Sequence, residues 1–322
     1  MTEAQMESLS KLTTLPYLQG YHAPKEKKGV TIYDKARAYE GLNLFCSGHA
    51  PKVYLMTMDG KILHEWGIQF EEVWPNPLPF FASEEHKEFI RKAYLYSNGD
   101  LLAIFAYIGL IKLDKDSNLL WSHLGQNHHD IDIAKNGYIF TLGAEDHTLL
   151  EMRQKYPQIR LDGLIRDDYI SVLTPTGDEI RRISVFHAFY DSDYASYLDF
   201  TEKKGDIFHT NTIDIIPESA AQRYPMFEAG DMLISLRNIN TIAVIDSEKG
   251  TVKWALSGMW RHQHQSVLLD NGNILLLDNQ GGNRHFFFKF DRSRVIEINP
   301  FTQEIVWQYG EGMKTIFSLP MS

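Results

Sequence analysis

Short runs of alternating apolar and polar residues, separated by polar turns, fill the chain from about residue 41 onward. A period of two is the mark of strands with one face buried in a sheet. One phrase recurs five times: a strand, a turn, and a second strand that closes on an aromatic or branched residue. It reads VYLMTMDGKILHEWG (53–67), LIKLDKDSNLLWSHLG (110–125), ISVLTPTGDEIRRIS (170–184), IAVIDSEKGTVKWALSG (242–258) and VIEINPFTQEIVWQYG (295–310). Between copies lies a second strand pair, as in AYLYSNGDLLAIF, DIDIAKNGYIFTL, TNTIDIIP…GDMLISL and HQSVLLDNGNILLL. Three of these pairs turn on Asn-Gly, the strongest local signal for a tight hairpin. The closing positions Trp66, Trp121, Ile183, Trp254 and Trp307 are spaced by about 53 to 71 residues, enough for four strands and their loops.

A repeat of that size with four strands per unit predicts an all-β fold, a β-propeller whose blades stack around an axis. About five blades are legible, within a propeller domain at 41–322 that follows a lead-in segment at 1–40. Two stretches, 83–94 and 145–158, carry helix-favouring residues, and 189–205 is aromatic and polar. All three read as insertions on one rim of the propeller, where loops form the wall of a site. After Gly310 the chain runs EGMKTIFSLPMS without a new turn or strand pair. The expectation is a last blade truncated at the C-terminus, with closure of five blades on themselves as the alternative.

Composition narrows the partners. The chain has 322 residues, a formal net charge of −10, 43% hydrophobic and 12% aromatic residues, ample for a sizeable core. An acidic balance with no basic cluster beyond KEKK argues against nucleic acid or an anionic membrane surface as partner. The single cysteine, Cys46, rules out an intrachain disulfide and a cysteine-based zinc cluster. No stretch approaches the roughly 18 apolar residues of a membrane span, and residues 1–29 show no signal-peptide core. Nothing in the sequence fixes the oligomeric state; a homodimer is compatible with it.

Polar residues recur where the first strand of a unit begins. NHHDIDIAKNG offers His128 and His129, FHTNTIDII offers His209 and Asn211, and QHQSVLLDNG offers Gln263 and His264. Arg237 falls within the strand that follows His209 in the same unit. Alternation allows only one of His128 and His129 to face the channel. Imidazoles and a guanidinium gathered at one end of a channel suit binding of a tetrahedral oxyanion and transfer of a group to or from histidine. The plainer readings are a histidine satisfied by backbone bonds and an Arg237 paired between blades with Asp246 or Glu248. His262, His123, His147 and His285 have no repeat-matched position and read as rim or surface. The closing tryptophans read as core, and GGNRHFFFKFDRSR (281–294) as a solvated loop over packed aromatics. A three-histidine metal site is a weak reading, because metals usually take a carboxylate or thiolate among such ligands and Asp130 is the only nearby candidate.

The ordered set HHDIDIAKNG, HTNTIDIIP, LISLRNINTIAVID and QHQSVLLDNGNILLLDN resembles the bacterial aryl sulfotransferase family, which uses an aryl sulfate donor and no nucleotide sulfate donor. The similarity spans roughly residues 30–320. It implies a six-bladed propeller and a ping-pong sulfuryl transfer between phenols, with no cofactor and no metal. By motif, His264 after Gln263 would be the transiently sulfurylated nucleophile. His209 with Asn211, Arg237, and His128 or His129 would bind the oxygens and shuttle the proton. The implied location is periplasmic or membrane-anchored facing the periplasm, although the chain as written shows neither signal nor tether. The alternative is a propeller that binds a ligand or protein partner and does no chemistry.

Overall fold

The computed structural model describes residues 29–80, 82–224, 226–279 and 293–310. Five antiparallel sheets follow one another along the chain as the blades of a five-bladed β-propeller. The first is β1 (Leu42–Cys46), β2 (Lys52–Thr57) and β3 (Ile62–Gly67). The second is β4 (Lys92–Leu95), β5 (Leu101–Phe105), β6 (Gly109–Leu113) and β7 (Leu119–Leu124). The third is β8 (Asn127–Ile133), β9 (Ile139–His147), β10 (Ile165–Leu173) and β11 (Glu179–Ser184), with the short β12 (Gly205–Asp206) laid parallel to β10. The fourth is β13 (Thr210–Ile215), β14 (Met232–Leu236), β15 (Thr241–Ile245) and β16 (Val252–Ser257). The fifth is β17 (His264–Leu268), β18 (Ile274–Asp278), β19 (Arg294–Ile298) and β20 (Ile305–Tyr309). Each repeated phrase therefore becomes the outer strand pair of one sheet. The sixth blade implied by the resemblance is not among the described residues, and the first sheet has three strands because residues 29–41 form a turn at Asp34 and no strand.

The core is divided into layers, one between each pair of neighbouring sheets. Strands β5, β14 and β15 are buried along their whole length, because each is covered on both faces by adjacent blades. Rings such as Phe105 and Phe208 are inaccessible to solvent, and each such side chain contributes about 1.5–3 kcal/mol by leaving water. The outer strands add latches to the following blade. The Trp66 indole N–H donates to the Gly99 carbonyl at 3.2 Å and that of Trp121 to the Pro175 carbonyl at 3.2 Å, both in turns of the next sheet. Trp66, Ile183 and Trp254 are buried as expected, but Trp307 is 48% exposed. It lies on β20, beyond which no further sheet is present among the described residues.

The insertions differ in detail from the sequence expectation. Of 83–94 only Glu84–Lys87 makes a helical turn, and Lys92–Leu95 is an inner strand, since the Asn-Gly-type hairpin after it prevails over helix propensity. In 145–158 the helix is Leu149–Lys155, started by a capping box of Thr148 and Glu151. Within 189–205 the chain makes a 3₁₀ turn at Ala195–Phe200 and enters β12 at Gly205, and an unexpected helix at Val185–Tyr190 precedes it. The basic aromatic stretch at 281–294 and His285 lie, but for Ser293 and Arg294, outside the described residues.

Chain direction explains where these insertions go. Every innermost strand starts at the same end of the channel, so the second-to-third strand loops and the links between sheets all emerge there. Short turns such as 114–118, 134–138 and 174–178 occupy the other end.

Candidate active site

The innermost strands β4, β8, β13 and β17 pack in succession around the axis. Side chains of one reach backbone amides of the next. Asp130 accepts from the Ile213 N–H at 3.2 Å, Asp132 from Ile215 at 2.6 Å, and Asp214 from Leu268 at 2.7 Å. Asp168 accepts from Thr210 at 2.6 Å, and Thr212 from Gln265 at 2.8 Å. Burial, together with Asp132 and Asp130 nearby, pushes the Asp214 carboxyl up to about 7 against its bond to Leu268. Asp130, Asp132 and Asp214 alternate with isoleucines along their strands; the sequence reading weighed only Asp130, as a metal ligand, because the partners of these acids lie in another sheet.

At the mouth of the channel the backbone departs from ideal strand geometry. Each histidine-bearing inner strand slips register just inside its start: between His128 and Ile131 in β8, Thr210 and Thr212 in β13, and His264 and Val267 in β17. Such bulges re-aim side chains next to functional sites. Among the described residues, seven of the nine non-glycine residues with left-handed backbone stand at this end: Tyr107, Gln126, His129, His209, Asn240, His262 and Gln265. A left-handed non-glycine residue costs of order 1–3 kcal/mol, held in place by the surrounding structure.

The result is a cluster of rings. The His128 and His129 Nδ1 atoms are 2.8 Å apart, and the rings of His129 and His209 meet edge to face at 4.9 Å. His128 is 2% exposed and 3.6 Å from Asp168, so it backs the site, while His129 faces His209. A register shift between His128 and Ile131, and not simple alternation, sets the directions of the two rings. Tyr107 caps the group, 5.0 Å from the His128 ring. His209 is held by Asp206, which accepts its backbone N–H at 3.0 Å and its Nδ1 at 2.5 Å. His264 places Nδ1 2.9 Å from the His262 carbonyl.

Electrostatics set these rings apart. Burial pushes His264 down to about 4; its bond to the His262 carbonyl opposes this, while Arg237, His209 and Arg91 reinforce it. Burial likewise takes His262 to about 4, with Arg237, His264 and His209 adding to it, and holds His129 well below the ordinary histidine value. Burial lowers Arg237 as well, with Asp206 opposing. Arg237 does not sit in a strand or pair with Asp246 or Glu248. It follows β14 in a loop, its N–H donates to the His209 carbonyl at 3.2 Å, and its guanidinium donates to the Asn238 side chain at 2.8 Å.

Two expected substrate contacts turn out to be scaffold. Gln263 is fully buried, and its Nε2 donates to the Ser235 hydroxyl and the Leu236 and Thr241 carbonyls at 3.1, 3.1 and 2.8 Å. Asn211 is 6% exposed and donates to the Gln263 carbonyl at 2.8 Å. Together they clamp the start of β17 to the fourth sheet, because a buried amide must spend its donors on backbone acceptors. Replacing Gln263 by Ala should cost about 1–3 kcal/mol, seen as a lower urea midpoint, since it strands two buried carbonyls.

The sequence reading missed His262, Arg91, Tyr107 and Asp206. His262 and Arg91 come from links between sheets, Tyr107 from a loop between strands, and Asp206 from β12. No repeat register exists in these segments, so no alignment of units could find them. Among the described residues no group of three or more His, Cys, Asp or Glu is arranged to hold a metal ion.

Several solved structures are similar to the chain at low identity. A protein of unknown function from Bacteroides caccae is 13% identical over 84% of this chain and 72% of that one, with a TM-score of 0.49. A virginiamycin B lyase from Staphylococcus aureus is 12% identical over 84% and 67%, with a TM-score of 0.45. A streptogramin B lyase is 14% identical over 87% and 70%, with a TM-score of 0.46. At such identities no chemistry transfers from them. No curated protein sequence matches the chain. The model of the arylsulfotransferase (ASST) family matches residues 94–311, which take in every histidine-bearing inner strand and Arg237 and make up more than half of the chain; the protein belongs to the arylsulfotransferase family.

Proposed function

We propose that the chain transfers a sulfuryl group from an aryl sulfate to a phenol, with His264 Nε2 as the covalent nucleophile. The observation that carries this is the bond from His264 Nδ1 to the His262 carbonyl. A carbonyl can only accept, so Nδ1 holds the ring proton and Nε2 keeps its lone pair. A ring pushed down to about 4 is neutral at physiological pH and therefore nucleophilic. Arg237 and Arg91 supply the positive charge that draws a sulfate ester to this end of an otherwise acidic protein and faces the oxygens on sulfur.

In the first half-reaction Nε2 attacks sulfur and the aryl O–S bond breaks, giving sulfo-His264 and a phenolate that takes up a proton. In the second, an incoming phenol loses its proton and its oxygen attacks sulfur. The N–S bond then breaks with its electrons returning to Nε2. Incubation with 4-nitrophenyl sulfate and a phenol tests the reading: nitrophenol should be released together with the sulfated acceptor. Binding of aryl sulfate without turnover would favour a non-catalytic propeller.

The pH dependence has a defined sign. The lowered value means that the reactive neutral ring is present above about 4 and is lost as pH falls through it. The burst of nitrophenol in the first turnover should therefore persist through pH 6.5, the ordinary histidine value, and decline near 4. An acidic limb centred at 6.5 would contradict a neutral His264 held in this way.

A further inference from the structure

We infer that Asp206 is a positioning residue that makes His209 the proton carrier of the site, a role that rests on the sulfuryl-transfer reading above. One carboxylate makes two bonds to one residue: Oδ1 accepts the His209 backbone N–H at 3.0 Å and Oδ2 meets Nδ1 at 2.5 Å. Those bonds hold His209 in its left-handed backbone conformation, at a φ of 52°. Asp206 is itself fixed, since β12 pairs with β10 opposite Arg166 and the Asp206 carbonyl accepts from the Asn238 side chain at 2.7 Å.

The neighbours make this ring different from the others. His129 and His264 face cations and other imidazoles, and among the described residues neither is hydrogen-bonded to a carboxylate. His128 stands 3.6 Å from Asp168, beyond hydrogen-bond reach. The charged and titratable groups around the His209–Asp206 pair include His129 and His128 from β8, Tyr107 from the loop between β5 and β6, Arg166 from β10, Arg237 from the loop after β14, and His262 and His264 at the start of the fifth sheet. Burial would raise the Asp206 carboxyl, but the His209 bond, with His128 and Arg166 beside it, holds it below the ordinary value. A carboxylate so held fixes Nδ1–H on itself and leaves Nε2 free to carry a proton to and from oxygen.

While His264 forms the N–S bond and the aryl O–S bond breaks, the leaving oxygen takes the proton from His209 Nε2, which becomes neutral. In the return half, His209 Nε2 takes the proton of the incoming phenol as that oxygen attacks sulfur. One proton thus shuttles, and no outside acid or base is consumed.

The test is Asp206→Asn, assayed as kcat/KM with donors of graded leaving ability. A nitrophenolate needs little help to leave, whereas an unsubstituted phenolate needs a proton. The variant should lose about 10- to 100-fold with phenyl sulfate and markedly less with 4-nitrophenyl sulfate. Asp206→Glu should recover part of the loss. Equal losses with both donors, or none, would overturn the inference. If the unaltered protein turns over neither donor, the sulfuryl-transfer reading fails by itself. Nitrogen NMR of His209 then decides the dyad: Nδ1–H in the unaltered protein, lost in Asp206→Asn, upholds it, and an Nε2–H tautomer refutes it.

Discussion

Replacing His264 by Ala should lower kcat for 4-nitrophenyl sulfate by at least about 10³-fold while the chain stays folded. The loss is this large because the side chain forms and breaks a bond, and no other ring in the cluster has both its position and its tautomer. The fold should survive because His264 is partly exposed, and among the described residues its side chain bonds only to the His262 carbonyl, within its own strand entry. The contacts that hold the start of β17 belong to Gln263, Asn211 and Thr212. Circular dichroism and a urea midpoint near that of the parent, measured beside nitrophenol release, separate lost chemistry from lost structure. Parent-level release in the variant would remove His264 from the mechanism.

Arg237→Ala is the second large effect. A partly buried guanidinium beside the nucleophile stabilises the charge that gathers on the sulfuryl oxygens as bonds change, and removing such a donor costs about 10²–10³ in kcat. The Arg237 backbone N–H to His209 remains in the variant, so His209 keeps that support. Arg237→Lys restores a charge without the planar fork and should recover only part of the loss. Steady-state kinetics with an aryl sulfate donor check this: a rise in KM with kcat unchanged would mean that Arg237 only binds substrate.

Much of the fold was legible because a propeller writes the same physics into each blade. Period-two runs, Asn-Gly and related turns and a closing aromatic located the outer strands of all five sheets and the inner pairs of four. Helix propensity misled at 83–94, where strand pairing of Lys92–Leu95 with β5 outweighed it. The positions of His128, His129, His209 and His264 at the mouths of inner strands were also legible, since they interrupt an apolar alternation. Their orientation was not. It depends on bulges made by left-handed histidines and a glutamine, residues with no sequence signature for that conformation. Gln263 looked like a ligand contact because its neighbour is a site residue, yet an amide buried between two sheets spends its donors on backbone. Asp206, Tyr107, Arg91 and His262 enter from connectors, where only three-dimensional proximity reveals them.

The central claim is a sulfuryl group carried on His264, and it can be read directly. The protein is mixed with an aryl sulfate in the absence of a phenol acceptor, quenched in alkali, digested and examined by mass spectrometry. The account predicts a single added sulfuryl group on the peptide containing His264, removed when a phenol is supplied before the quench. Release of the donor's phenol with no adduct, or an adduct on another residue, would contradict it.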